Sequence, residues 1–453
     1  MTSPTRSNQN TQDISLLDQN GMTNVSHECP VTPMPGVYEI VDGSRARRTA
    51  GASAARFSGP YFPVGTPSLL SILASVASWY DALRKVWSIY LATHIAFILL
   101  TYLAMLFRVQ NFSYNQMPLS ALLNAWNRWD TSQFTAIAAN GYESVWRTAF
   151  FPLYPMLEKG LSLLTHDPYI AGLLLSNLAT LALFTVFYRL IAEDFEPSLA
   201  YRAVLYLGLF PTAFFLASAY NEALFLCLTL LSFYYMRRGQ WWWAGVYGLL
   251  ASLTRSAGLL LLLPFAYEYL RQHEFSYRKL GFDALSSILI IAGTGLFALY
   301  CALRFHDPLA FAHAQAYWGR QITLPGIGFA RTLWVIRHNG PLSFSAIHGA
   351  IDLSAGLLML LLTVLCFVGP WKFRTHQLAY GLYAVAVYLF LVLFPGKDVP
   401  LQSLSRLVLE IFPAFIILAM LGRKASFHLY YLILSGSLLS FMLLQFLTGY
   451  WIV

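Results

Sequence analysis

The chain has 453 residues, of which 57% are hydrophobic, 16% aromatic and only 11% charged. A soluble globular domain carries roughly 25% charged residues, so this composition excludes one and points to a chain whose solvent is largely lipid. The net charge of +8 does not indicate a nucleic-acid partner, because the basic residues are scattered in short stretches between apolar spans, the pattern of cytoplasmic membrane anchoring.

Residues 1–65 are rich in Ser, Thr, Asn, Gln and Pro and read as a disordered tail. No positive segment leads into an apolar stretch near residue 1, so a cleavable signal peptide is not expected. Arg45, Arg47, Arg48 and Arg56, then Arg84 and Lys85, precede the first apolar span. By the positive-inside rule the tail is cytoplasmic. The rest, 66–453, reads as one multi-spanning all-α domain.

The first span is predicted over 86–107, crossing outward, and 108–168 then form the first extracytoplasmic loop. Leu119, Leu122, Leu123 and Trp126 fall on one helical face, which predicts an amphipathic helix at the membrane interface. A second interfacial helix is predicted from Asp130, with Asp130 and Gln133 resembling a capping box. Phe134, Ile137 and Ala138 share a face of it, and Gly141 is its stop. Further spans are read at 169–190, 202–218, 221–236, 241–254, 257–270, 283–304, 349–369, 377–394, 405–421 and 428–447. That makes about 11 spans, several below the roughly 20 residues of a straight crossing. Broken or tilted helices are therefore expected at 200–270, and 305–348 reads as a second large extracytoplasmic loop.

Alternation from a cytoplasmic N-terminus puts Arg237, Arg238, Arg271, Arg278, Lys279, Lys372, Arg374, Arg423 and Lys424 inside, as the Lys/Arg bias demands. The opposite face receives Asp130, Asn221 with Glu222, Arg255, His306 with Asp307, and the stretch from Lys397 to Arg406. Unusual polar clusters gathered on one face argue for a single extracytoplasmic site.

Each cluster also has a plain structural reading. Asp130 can take a proton from an attacking hydroxyl, or it can cap the helix it begins. Trp129 can stack on a sugar or sit in the interfacial aromatic belt. Arg128 can steady a phosphate or lie among headgroups. Glu222 beside Asn221 can bind sugar hydroxyls, bind a cation, pair with Arg255 or cap a helix. Arg255, between Thr254 and Ser256, suits a lipid-linked phosphate or a structural ion pair. His306-Asp307-Pro308 is a polar surface segment or simply a turn, followed by Gln315, Trp318 and Arg320. Arg406, at a span boundary, is another phosphate candidate. Cys29, Cys227, Cys301 and Cys366 form no CxxC pair, and no metal site is predicted. The divalent-metal requirement stays open.

The segments RWDTSQFTAIAANGY, AFFPLYP, SAYNEALFL, LTRSAGLLLLLPF, HDPLAFAHAQAYW and SLSRLVLEIFP, in this order, resemble the motif series of the GPI mannosyltransferase II (PIG-V type) family, which has bacterial relatives. The resemblance covers 85–450. It implies a GT-C-like fold and an inverting glycosyltransferase that takes a hexose, mannose in that family, from a polyprenyl- or dolichyl-phosphate carrier. It implies Asp130 as general base and matches Arg128, Asn221, Glu222, Arg255, His306, Asp307 and Arg406 to motif positions. The implied partners are the lipid-linked donor, a glycolipid or glycan acceptor and the bilayer, with room for a small membrane subunit. The membrane would be the bacterial cell membrane or, in a eukaryote, the endoplasmic reticulum. The competing readings are a polytopic transporter or lipid flippase, and a non-catalytic scaffold subunit.

Overall fold

The structure, a computed structural model, describes residues 69–106, 118–340 and 343–450. The predicted tail 1–65 and the start of the loop 108–168 lie outside the described residues. What is described is all α, with only one isolated β-bridge, Arg320 to Gly396, among the described residues.

The helices run in chain order as α1 (Leu69–Leu106), α2 (Leu119–Asn124), α3 (Asp130–Asn140), α4 (Leu153–Thr165), α5 (Pro168–Asp194), α6 (Pro197–Gly208) and α7 (Glu222–Arg237). They continue as α8 (Trp241–Thr254), α9 (Leu262–Gln272), α10 (Ser287–Phe305), α11 (Ala310–His313) and α12 (Ile327–His338). The last are α13 (Phe344–Leu365), α14 (Leu378–Leu393), α15 (Leu404–Leu407), α16 (Phe412–Leu421) and α17 (Ala425–Thr448).

Among the described residues six segments are long and apolar enough to cross a membrane: Ser75–Leu106, Pro168–Asp194, Phe282–Phe305, Phe344–Leu365, Thr375–Leu393 and Ala425–Thr448. The chain is thus a multi-pass membrane protein. The pair Leu404–Glu410 and Phe412–Leu421, bent by 87°, is apolar enough only when its two limbs are taken together, as a broken span or a re-entrant loop. Pro413 opens the second limb, where it has no N–H to continue the first limb's ladder. The expected spans at 202–218, 221–236, 241–254 and 257–270 fall on α6 to α9, which have only 12, 16, 14 and 11 residues. None passes alone the test of length that the six pass, so the predicted eleven corresponds to six or seven long spans and a set of short helices.

Local chemistry sets the boundaries. Asp167 caps α5, its carboxylate accepting from Tyr169 N at 2.8 Å, and Pro168 occupies the first turn, where its missing N–H is harmless. The core lies where α7, α14 and α16 meet. Phe233 packs on Phe412 at 5.1 Å and on Tyr380 at 5.3 Å, and α16 is buried from Phe412 to Ala419. A helix apolar on every side belongs inside.

The charged groups fall at opposite helix ends. At the end holding the C-termini of α5 and α7, Arg237 pairs with Asp194 at 2.7 Å and Glu268 at 2.9 Å, Arg271 also holds Glu268, and Arg238 holds Glu193. Glu222 begins α7, so it stands about 22 Å from Arg237 at 1.5 Å per residue.

Candidate active site

The site begins with a strained backbone. Trp129 precedes α3 at φ 49 and ψ −111, a conformation that a residue with a Cβ holds only under constraint. Tyr220 supplies the constraint. Its buried hydroxyl donates to Arg128 O at 3.1 Å and accepts from Asp130 N at 3.3 Å. Its own carbonyl accepts from Ser176 Oγ at 2.9 Å.

Asp130 is therefore the first residue of α3, and its side chain caps nothing. The capping-box expectation is corrected: the carboxylate is turned away from the helix N–H groups because Arg406 takes it, with Nη1 to Oδ2 at 2.7 Å. Gly141 closes α3 at φ 76, as expected of a stop.

Arg406 comes from α15, which starts after Ser403 at φ 64. Asp352 Oδ1 accepts from Ser405 N at 2.8 Å and Thr212 Oγ1 donates to Ser405 O at 2.7 Å. The residue before Arg406 is thus held on both backbone groups. The guanidinium lies 5.2 Å from the Tyr220 ring and 5.3 Å from the Phe215 ring, and its Nε is 3.4 Å from Glu222 Oε1.

Arg255 occupies the extended break (φ −154, ψ 147) between α8 and a 3₁₀ turn, Ser256–Leu261. Its Nη1 donates to Asn221 Oδ1 at 2.9 Å and to Glu222 Oε1 at 3.0 Å, and its Nε lies 3.0 Å from Glu410 Oε1. Asn221 Nδ2 in turn donates to Thr254 O at 3.0 Å. Buried carboxylates persist only when paired, and here one network joins the start of α3, the start of α7, the break after α8 and the bend between α15 and α16.

The network walls a cavity of about 640 Å³, the size of a small-molecule site. Asp130, Arg255, Arg320, Arg406 and Glu410 supply charged groups, and Asn221 is one of several amides in its wall. Trp129, Phe150, Phe151, Trp318, Phe390 and Phe394 supply aromatic wall. Phe150 meets Trp318 edge-on at 5.4 Å. Arg320 donates to Gln402 O at 3.3 Å. Burial and the guanidinium groups of Arg406 and Arg255 push Arg320 down to about 10.

The sequence-selected residues separate into three groups. Trp129, Asp130, Asn221, Arg255 and Arg406 line the cavity. Glu222 stands one layer behind, 1% exposed, between Arg255 and Arg406. Arg128, His306 and Asp307 are not among the lining residues. Arg128 Nη2 donates to Leu447 O at 3.0 Å, tying the start of α3 to the end of α17. His306 ends α10 in the left-handed conformation, φ 57. Asp307 accepts from Leu309 N at 3.0 Å and pairs with His313 at 2.8 Å, which holds its carboxyl below the usual range. This is the turn geometry of Asp-Pro. From that segment Gln315, Trp318 and Arg320 reach the cavity instead.

Two acids were not singled out from the sequence. Glu410, in Val408-Leu409-Glu410-Ile411, is fully buried and lines the cavity. Its signal was a lone carboxylate inside an apolar run. Asp352 inside α13 carried the same signal. Among the described residues no cluster of three or more His, Cys, Asp or Glu is placed to hold a metal ion.

The sequence model described as mannosyltransferase (PIG-V) matches residues 83–328. GPI alpha-1,6-mannosyltransferase 2 of Rattus norvegicus is 32% identical over 226 residues, which are 47% of this chain and 44% of that protein. The enzyme of the same name from Mus musculus is 34% identical over 32% of this chain and 31% of its own length. The matches thus span less than half of these relatives. Among solved structures, ArnT from Cupriavidus metallidurans bound to undecaprenyl phosphate aligns with a TM-score of 0.46 and 15% identity, over 73% of this chain and 59% of that one. The Archaeoglobus fulgidus oligosaccharyltransferase tethered to an acceptor peptide aligns with a TM-score of 0.41 and 14% identity, over 82% and 56%.

Proposed function

This chain belongs to the mannosyltransferase (PIG-V) family, and we propose that it is an inverting membrane glycosyltransferase of GT-C type. It moves a hexose, mannose by the family's example, from a polyprenyl- or dolichyl-phosphate carrier to a hydroxyl of a lipid-linked or glycan acceptor. The site faces the extracytoplasmic side and the N-terminus the cytoplasm.

The observation that carries the reading is the placement of Asp130 on the wall of a polar and aromatic cavity, oriented by a largely buried arginine. Arg406 occupies Oδ2 and leaves Oδ1 to receive a proton. The acceptor hydroxyl attacks the anomeric carbon as its proton passes to Asp130. The carbon–oxygen bond to the phosphate breaks on the opposite side, which inverts the centre, and the leaving group is the lipid monophosphate. Cations already fixed in the cavity wall stabilise that developing anion without reorganising. Trp129 and Trp318 offer faces on which a sugar ring can stack. The opposed orientation of the two charged helix ends supports the assignment of sides: the Arg237 and Arg238 end meets the cytoplasmic headgroups.

Transfer from a lipid-linked mannose donor, followed by mass spectrometry of membrane glycolipids, tests the reading. Asp130→Asn should lower turnover about 10²–10⁴-fold with little change in donor KM. Wild-type turnover in that variant removes Asp130 from the role.

A further inference from the structure

Among the described residues three arginines, Arg255, Arg320 and Arg406, face the cavity, and they are not equivalent. Arg406 is held by Asp130 and Glu222, and Arg255 by Glu222 and Glu410. The carboxylates of the site are thereby spent on two of the three guanidinium groups. Arg320 has no carboxylate within ion-pair distance among the described residues; its recorded side-chain contact is the neutral carbonyl of Gln402. A cation depressed first by its burial and then by Arg406 and Arg255 is the group that gains most from an incoming anion.

Its surroundings say what kind of anion. Arg320 lines the cavity beside Phe390, Leu391, Phe394 and Leu407. It also borders a narrow crevice lined by Leu391, Val392, Leu401 and Leu404. The backbone there is fixed: Arg320 bridges Gly396, Lys397 N donates to Gly319 O at 2.7 Å, and Gln321 N donates to Pro395 O at 3.2 Å. A rigidly placed fork of N–H donors at the boundary of an apolar wall matches a phosphate that carries a hydrocarbon chain.

We propose that Arg320, ahead of Arg128, Arg255 and Arg406, is the anchor for the donor's lipid phosphate, with its first isoprenyl unit against Leu391 and Phe394. Arg255 and Arg406 are then chiefly the frame that orients Asp130, Glu222 and Glu410. The inference rests on the proposed lipid-phosphate donor.

Binding alone separates the two. Native mass spectrometry of the full-length protein compares a polyprenyl monophosphate with the uncharged polyprenol of equal length. The wild type should prefer the phosphate form. Arg320→Gln should reduce that preference about 10- to 100-fold, and Arg331→Gln, on the exposed face of α12, should leave it intact. If Arg320→Gln is not recovered folded, Arg320→His decides. Its preference should appear as pH falls below about 6.5, where the imidazole becomes charged. Full preference in Arg320→Gln, or pH-independent preference in Arg320→His, overturns the assignment. A wild type that does not distinguish the two lipids overturns the donor reading itself.

Discussion

Glu158 shows how burial alone sets the chemistry of one residue. It lies on α4, outside the long spans and fully buried, accepting from Thr135 Oγ1 at 3.0 Å through Oε1 while Oε2 has no hydrogen-bond partner among the described residues. Burial outweighs the Thr135 hydrogen bond and, with a smaller push from Asp167, raises its carboxyl from 4.5 to about 8. Between those pH values the unfolded chain has released this proton and the folded chain keeps it. Folding then takes up a proton, so stability falls as pH rises from 4.5 to about 8. Glu158→Gln should flatten that dependence and raise the melting temperature at pH 8 relative to wild type. Parallel melting curves for the two proteins across that range would show that Glu158 is charged in the fold. At this scale the sequence displayed Asp130, Arg255 and Arg406 plainly, as charges in apolar surroundings. It did not display which of them touch, since Asp130 and Arg406 are 276 residues apart.

The elements that position the site are the broken ones. Arg255 reaches Glu222 and Glu410 because α8 stops at Thr254 and the chain turns back on itself as a 3₁₀ segment. That return requires Gly258: a Cβ there would lie 2.5 Å from the backbone N and Cα of Ser252 and 2.6 Å from the carbonyl carbon of Ala251. Those are backbone atoms and cannot swing aside. Gly258→Ala should push the 3₁₀ segment off α8, tilt Arg255 out of the network and lower kcat/KM at least about tenfold, with loss of stability of about 1–3 kcal/mol. Wild-type kinetics in Gly258→Ala would mean that the break does not set the arginine. Breaks at 200–270 were legible because the apolar runs were too short to cross. The six-residue α2 was foreseen from Leu119 to Trp126, yet only Leu119–Asn124 is helical, since so short a helix takes its limits from packing rather than propensity.

Across the whole molecule the two charged ends give a topology that can be measured. Asn140, at the end of α3, and Gln240, after α7, are both exposed and lie at opposite ends. In a chain with its native cysteines replaced by serine, Asn140→Cys should react with a membrane-impermeant maleimide added outside. Gln240→Cys should react only after permeabilisation. The reverse pattern would put the site in the cytoplasm and sink the proposed orientation.

Composition and the spacing of charges determined by themselves that this is a helical membrane protein and which polar residues are unusual, while about eleven spans were read where six or seven are long enough to cross. They could do so because lipid forces every crossing segment to be apolar and to satisfy its own backbone. Only the tertiary structure decided that Arg406 holds Asp130, that Glu410 joins the cavity, and that Arg320 faces it with no carboxylate in ion-pair distance among the described residues, while His306 and Asp307 form a turn outside it. Pairings between charges hundreds of residues apart follow from helix packing, and no local periodicity in the chain encodes them.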